Sequence, residues 1–161
     1  MKKIGICLFL FLSLGLTSCG FKLKGQYYLP ESLKTLHLSS EKKFSPLAKQ
    51  VKLRLSQNQI RLVNKSEPDV AELYILPEQF QRRTLSLFPN GQVAEYELIY
   101  QVRYRVRKPG EESVSFEFEL SREFRDDPNN ALAKERERQL ILNELRVMAS
   151  DRILAQLTSL Q

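Results

Sequence analysis

Ala94-Glu95-Tyr96-Glu97-Leu98-Ile99-Tyr100-Gln101-Val102-Arg103-Tyr104-Arg105-Val106-Arg107 is the stretch on which the fold turns. Its even positions are apolar throughout, while its odd positions are charged or polar except Ile99. Successive side chains of a strand point to opposite faces, so this alternation predicts one long, half-buried strand. Just beyond it, Lys108-Pro109-Gly110-Glu111-Glu112 has the composition of a turn. A hairpin symmetric about Gly110 sets Tyr104 opposite Phe116, Val102 opposite Phe118 and Tyr100 opposite Leu120. On the other face it brings Arg103 beside Glu117. Apolar residues meet apolar ones without adjustment, which predicts a second strand reaching about Arg125.

On the N-terminal side, Asn90-Gly91 is the preferred dipeptide of a two-residue type I′ turn. Pairing across it sets Leu87 opposite Ala94 and Leu85 opposite Tyr96. Arg83 then shares parity with Leu85 and Leu87 and is expected on the apolar face. The strand containing them begins near Val70, and Pro77 inside it calls for a bulge or an edge position, because proline has no amide hydrogen for a ladder.

Helices flank this meander. Asp126-Asp127-Pro128-Asn129-Asn130 stops the last strand and caps a helix expected over about 131 to 158. Leu142, Leu145, Ala149 and Ile153 recur every three or four residues as its core stripe. Leu140, Val147 and Leu154 form a second stripe on roughly the opposite side. A helix apolar on two sides has two dry neighbours. One is the sheet; the other is either the first helix or a partner protein. Towards the N-terminus, Asn64 to Asp69 reads as a loop. Ser45-Pro46 reads as a helix start, and Leu47, Val51 and Leu55 give that helix one apolar face as far as about Asn58. A short strand is expected over 33 to 39, where His37 lies opposite Leu36 and Leu38 and is read as a solvent-facing residue. The fold class is α+β, a two-layer sandwich in the order βαβββα, with a four-stranded mixed sheet and two helices packed on one face.

The first twenty residues set the compartment. Lys2 and Lys3 precede an apolar run from Ile4 to Leu16, too short to span a bilayer and suited to a signal peptide. Leu16-Thr17-Ser18-Cys19 then fits a bacterial lipobox, in which the cysteine is acylated and becomes the new N-terminus. Residues 1 to 18 are read as a removed leader, 19 to 32 as a lipidated tether, and 33 to 161 as a single domain. Each acyl methylene that enters a bilayer contributes about 0.8 kcal/mol, so two or more chains make a stable anchor. Gly20 follows the cysteine where an Asp would retain the protein at the inner membrane, so the outer membrane is the expected location.

Composition removes several function classes. Lys2 and Lys3 leave with the leader, so the net charge falls from +6 to about +4. A basic protein in the periplasm meets anionic glycolipid, lipid head groups or acidic protein surfaces, not nucleic acid. Cys7 also leaves and Cys19 is acylated, which frees no thiol for a disulfide or a metal. With one histidine and no Gly-rich phosphate loop, the sequence presents no catalytic constellation, no metal site and no cofactor motif.

Three motifs carry a family resemblance. Cys19-Gly20-Phe21-Lys22-Leu23-Lys24-Gly25 is similar to a CGFxLRG start. Asn90-Gly91-Gln92 with Ala94-Glu95-Tyr96-Glu97-Leu98 is similar to an NGQxAEYxL hairpin. Asp127-Pro128 with Ala131-Leu132-Ala133-Lys134-Glu135 is similar to a DNPxxxLAK helix start. In this order, behind a lipobox, they resemble the LPS-assembly lipoprotein family LptE, also called RlpB. Pro89 departs from that pattern, standing before Asn90-Gly91 where some relatives have a basic residue. The resemblance implies a non-enzymatic outer-membrane lipoprotein that binds lipopolysaccharide and partners the large β-barrel LptD as a plug in its lumen. It would support lipopolysaccharide transport to the surface and assembly of the barrel.

Phosphate-bearing lipopolysaccharide calls for basic side chains, arginine donating from a planar fork and lysine acting as a point charge. Lys134 is the first candidate, by its match to the LAK motif and its place in the first turns of the helix; Arg82 and Arg83 are next, beside the hairpin. Leu140, Val147, Leu154, Asn90 and Gly91 are the candidates for facing a protein partner. Arg103, Arg105 and Arg107 form a stripe that Glu117 and Glu119 can neutralise across the hairpin. The alternative is a pilotin-like or barrel-assembly accessory lipoprotein that binds protein only.

Overall fold

The computed structural model describes residues 27 to 160. The leader, Cys19 and the start of the tether lie outside the described residues. β5 (Val93–Arg107) is the spine of the sheet, and the alternation in its sequence is realised: Ala94, Leu98, Tyr100, Val102, Tyr104 and Val106 are buried. β6 (Val114–Arg125) runs antiparallel along one edge of β5 in the expected register, with Tyr104 paired to Phe116, Val102 to Phe118 and Arg103 to Glu117.

The other edge of β5 takes two strands end to end. β3 (Ala71–Ile75) pairs with residues 104 to 107, and β4 (Gln79–Leu87) pairs with residues 93 to 101. Ile75 faces Tyr104 and Gln79 faces Gln101, so Leu76, Pro77 and Glu78 lie opposite only Val102 and Arg103. This is the bulge expected at Pro77. β1 (Thr35–Ser40) lies parallel to β3, and β2 (Arg61–Val63) lies parallel to β1 at the outer edge. The sheet therefore has six strands and not four. The long segment splits at its proline, and Arg61–Val63, too short to show a period, pairs with β1.

α1 (Pro46–Gln57) starts where Ser45 Oγ accepts the Ala48 amide at 3.1 Å and buries Leu47, Val51 and Leu55. It closes with a Schellman arrangement: Ile60 N–H donates to Leu55 O and Gln59 N–H to Ser56 O, both at 3.1 Å, with Gln59 at φ 61°. α2 (Ala131–Thr158) follows a single 3₁₀ turn whose cap, Asp127, accepts the Asn129 amide at 3.0 Å. Its 28 residues extend about 42 Å. The core stripe Leu142, Leu145, Ala149 and Ile153 is buried as expected. Ser150, Leu154 and Leu157 are buried with it, whereas residues 131 to 141 hold none that is buried.

The second helix stripe divides along its length. Leu154 is fully buried one turn from Asp151, which pairs with Arg54 of α1 at 2.8 Å. Val147 is half-buried, and Leu140 is 64% exposed. α1 is the second dry neighbour at the C-terminal end and stops short of Leu140. His37 is half-buried, with Nδ1 3.1 Å from Val63 O, so it ties β1 to β2 instead of facing solvent freely.

The hairpin tip differs from expectation. Gly91 N–H donates to Phe88 O at 2.9 Å, Phe88 N–H donates to Gln92 O at 2.7 Å, and Gly91 lies at φ 82°. Pro89, Asn90 and Gly91 thus form a three-residue loop, a tight turn closed by a left-handed glycine, in place of a two-residue type I′ turn. Type I′ needs positive φ at Asn90, and Asn90 does not adopt it. Pro89, with φ fixed near −65°, fits the first central position of an ordinary turn. Further along, the register shifts between Thr84 and Leu87. The two shifts there cancel. It is the extra residue of the loop that sets Leu87 opposite Val93 and Thr84, not Leu85, opposite Tyr96, so Arg82 and Arg83 exchange faces relative to expectation.

Candidate functional site

That extra loop residue decides which arginine of the Arg82-Arg83 pair reaches the helix. Arg82 pairs with Leu98 and Arg83 with Glu97. The even residues of β5 face α1 and α2, so Arg82 lies on the helix side. Arg83 lies on the outer face, in an ion pair with Glu97. The expectation that Arg83 points to the apolar face is overturned.

Arg82 meets the start of α2. Together with Phe124, Asp126, Lys134, Glu135 and Arg138 it lines a shallow cleft of about 120 Å³. The last strand delivers Phe124, which is buried; the helix delivers Lys134 and Arg138, four residues apart and so on one face. Lys134 Nζ lies 5.5 Å from the Phe124 ring centroid and 2.8 Å from Glu137. Arg138 donates from Nε and Nη2 to both oxygens of Glu135 at 2.6 to 2.9 Å. Hydrogen bonds from Arg138 and Gln139 hold the Glu135 carboxyl below the usual carboxylate range, and those from Asn130 and Asn129 do the same for Asp127. Arg82 has no ion pair among the described residues and lies 5.8 Å from the Tyr96 ring centroid.

The arrangement offers three cations at one mouth, with an aromatic ring as a partly apolar floor. Two of the cations hold carboxylates from their own helix. Such solvent-exposed pairs are worth about 0–1 kcal/mol, so an incoming phosphate can displace them at small cost. Arginine and lysine together then supply forked and point-charge recognition of that phosphate.

The structure therefore brings Lys134 and Arg82 together and separates Arg83 from them. Arg138 escaped the sequence reading, although its spacing of four from Lys134 was a usable signal. Asn90 and Gly91 lie at the hairpin tip, where Asn90 Oδ1 accepts the Gln92 amide at 3.1 Å; across an open recess of about 590 Å³ stand Asp127 and Asn129. Of the partner-facing stripe, Leu140 is open, Val147 partly so, and Leu154 belongs to the core. The arginine stripe is not neutralised across the hairpin as expected. Among the described residues none of its ion pairs reaches Glu117 or Glu119, both of which accept from Gln101. Arg107 pairs with Glu72 at 3.5 Å, while Arg105 lies 4.7 Å from the Tyr74 ring centroid.

A second polar group was not visible in the sequence. Glu78, on the bulge after Pro77, accepts from Arg146 Nε of α2 and from Tyr100 Oη, each at 2.8 Å. Phe80 stacks on Tyr100 at 4.4 Å between centroids, and Arg146 lies 5.3 Å from the Phe80 ring. Burial, and then the Glu78 carboxylate, raises the Tyr100 pKa above its ordinary range. Among the described residues no group of His, Cys, Asp and Glu is placed to hold a metal ion, and no helix is long and apolar enough to cross a membrane.

The same sheet and helix pair occurs in solved bacterial lipoproteins. A crystal structure of rare lipoprotein B from Shewanella oneidensis matches with a TM-score of 0.72 at 42% identity, covering 78% of this chain and 94% of that one. A solution structure of lipoprotein B from Nitrosomonas europaea matches with a TM-score of 0.70 at 26% identity, covering 87% and 91%. The fold thus defines a small α+β lipoprotein of the kind found in Gram-negative bacteria. Residues 33–157 match the family LptE, described as lipopolysaccharide-assembly. LPS-assembly lipoprotein LptE of Pectobacterium atrosepticum is 31% identical over 143 residues, spanning 88% of this chain and 78% of that protein. Its counterpart in Yersinia pestis is 33% identical over 140 residues, spanning 86% and 68%. The chain belongs to the LptE family of lipopolysaccharide-assembly lipoproteins.

Proposed function

We propose that this chain, acylated on Cys19 and held at the outer membrane, binds lipopolysaccharide phosphate through Arg82, Lys134 and Arg138. It works seated as the plug of the large β-barrel LptD, supporting delivery of lipopolysaccharide to the surface and assembly of the barrel. Its role is binding, not catalysis. The observation that carries the reading is that Arg82, distant in sequence, meets Lys134 and Arg138 in one cleft, with Lys134 over the buried ring of Phe124. Family membership supports the pathway, and the polar outer face of the sheet suits a barrel lumen lined by polar side chains.

The reading is tested in two parts. The tagged lipoprotein, extracted from native outer membrane in detergent, should bring down a large barrel in equal amount; recovery with a secretin or a barrel-assembly complex instead would favour an accessory role and overturn it. Purified protein should lose lipopolysaccharide binding on Lys134→Glu while its unfolding transition stays in place. Unchanged binding would remove Lys134 from the site.

A further inference from the structure

The shoulder where β1 passes into α1 carries a charge pattern that the cleft at the start of α2 does not use. Lys42, Lys43, Lys49 and Lys52 are all exposed, and none has a carboxylate ion pair among the described residues. Between Ser40 and Leu53 the only acidic side chain is Glu41. Phe44, at the head of this stretch, is 85% exposed, with Lys43 Nζ 5.6 Å from its ring centroid. Leu47, Val51 and Leu55 turn inward, so the helical period puts Lys49, Lys52 and Leu53, itself 51% exposed, on the outer side of α1. Lys43, Phe44, Lys49 and Lys52 rim one open recess of about 520 Å³ that includes Leu38 and Ala48.

Lysines around an open phenyl ring select the occupant. A second copy would bring eight like charges together, and a basic partner is repelled for the same reason. An anionic surface with an apolar layer just beneath it suits both features, since lysine stems reach upward while aromatic and aliphatic side chains enter. The path of the chain adds position. Tyr27 N–H donates to Asn58 Oδ1 at 2.7 Å, so the N-terminal segment joins the domain at the C-terminal end of α1. From Cys19 to Tyr27 the backbone can reach at most about 28 Å, and α1 itself is about 18 Å long. An acyl anchor on Cys19 therefore keeps the outer side of α1 within reach of the bilayer it enters.

We infer that Lys42, Lys43, Lys49 and Lys52, with Phe44 and Leu53, form a second membrane contact that docks α1 on a bilayer bearing anionic phospholipid. The inference rests on the acyl anchor proposed above and is independent of the Arg82–Lys134–Arg138 cleft. Docking applies to the anchored domain before it is seated in the barrel, whose walls would separate α1 from lipid, and it fixes an orientation that an acyl anchor alone does not.

The chain has no tryptophan, so Phe44→Trp makes a single reporter in the full acylated protein. The protein is reconstituted into vesicles of phosphatidylcholine alone or mixed with phosphatidylglycerol. In the mixed vesicles the indole emission of the Phe44→Trp protein should shift to the blue and be quenched by lipids brominated along their acyl chains; high salt should reverse both. Each lysine near an anionic surface contributes a factor of about five, so Lys43→Gln with Lys49→Gln should weaken docking about 25-fold. Leu53→Trp should respond like the first reporter, and Leu87→Trp on the hairpin should stay in water. Unshifted emission from both the Phe44→Trp and the Leu53→Trp proteins, on vesicles with which they still float, would overturn the docking surface and leave the anchor standing. Equal quenching at position 87 would also overturn it, as general adsorption. Failure to float with either vesicle would overturn the anchor and the docking together.

Discussion

Arg146, midway along α2, and Glu78, one residue beyond the proline of the bulge, hold each other at 2.8 Å with side chains only 15% and 10% exposed. The extra residue at Pro77 lets the strand put a carboxylate under the helix, where Tyr100 also donates to it. Removing one member leaves the other charge poorly solvated. Arg146→Ala or Glu78→Ala should each cost about 2–3 kcal/mol in urea unfolding. The double variant should cost much less than the sum, and additive losses would show that the pair is not coupled.

The two arginines before the hairpin should behave oppositely. Arg82→Glu faces the cleft with Lys134 and Arg138 and should weaken lipopolysaccharide binding at least several-fold. Arg83→Glu faces Glu97 across the outer side of the sheet and should leave binding unchanged while lowering stability slightly. Binding titrations of both variants decide the matter. A loss for Arg83→Glu with none for Arg82→Glu would return the hairpin to the register expected from its sequence, and equal losses would show that neither arginine is singled out by the cleft.

Gln59 ends α1 in the left-handed region, where a side chain is unfavourable and glycine is not. Gln59→Gly should stabilise the domain by about 0.5–1 kcal/mol, read from the midpoint of chemical denaturation.

At the hairpin tip the strain falls on Gly91 alone. Gly91→Ala should cost about 1 kcal/mol, because φ 82° opposes a Cβ although nothing else would touch it. Asn90→Ala should cost only the side chain's local hydrogen bonds, a few tenths of a kcal/mol. A type I′ turn would instead make both positions sensitive, since each would take positive φ.

Alkaline pH should unfold the domain through its buried tyrosines. Burial raises the Tyr104 pKa to about 12, and Tyr100 is raised further. An unfolded tyrosine ionises near 10, so above that pH the unfolded chain holds fewer protons than the folded one, and stability falls as pH rises. Stability should be flat up to about pH 9 and decline through the range between 10 and 12, followed by tyrosinate absorbance. Tyr104→Phe should make the decline shallower.

The sequence by itself determined the strict alternation of β5 and its pairing with β6. Apolar residues there meet on one face in only one register, and a slip would expose them all. It likewise determined the apolar face of α1, the core stripe of α2, the bulge at Pro77 and the family resemblance carried by the hairpin and helix-start motifs. The tertiary structure alone decided which of Arg82 and Arg83 joins Lys134. A strand has period two, so the one residue by which the Pro89-Asn90-Gly91 loop exceeds a two-residue turn exchanges the faces of Arg82 and Arg83. Likewise only packing could separate Leu154 from Leu140. Both satisfy the same helical period, and α1, ending its contact near Asp151, covers one and leaves the other in water.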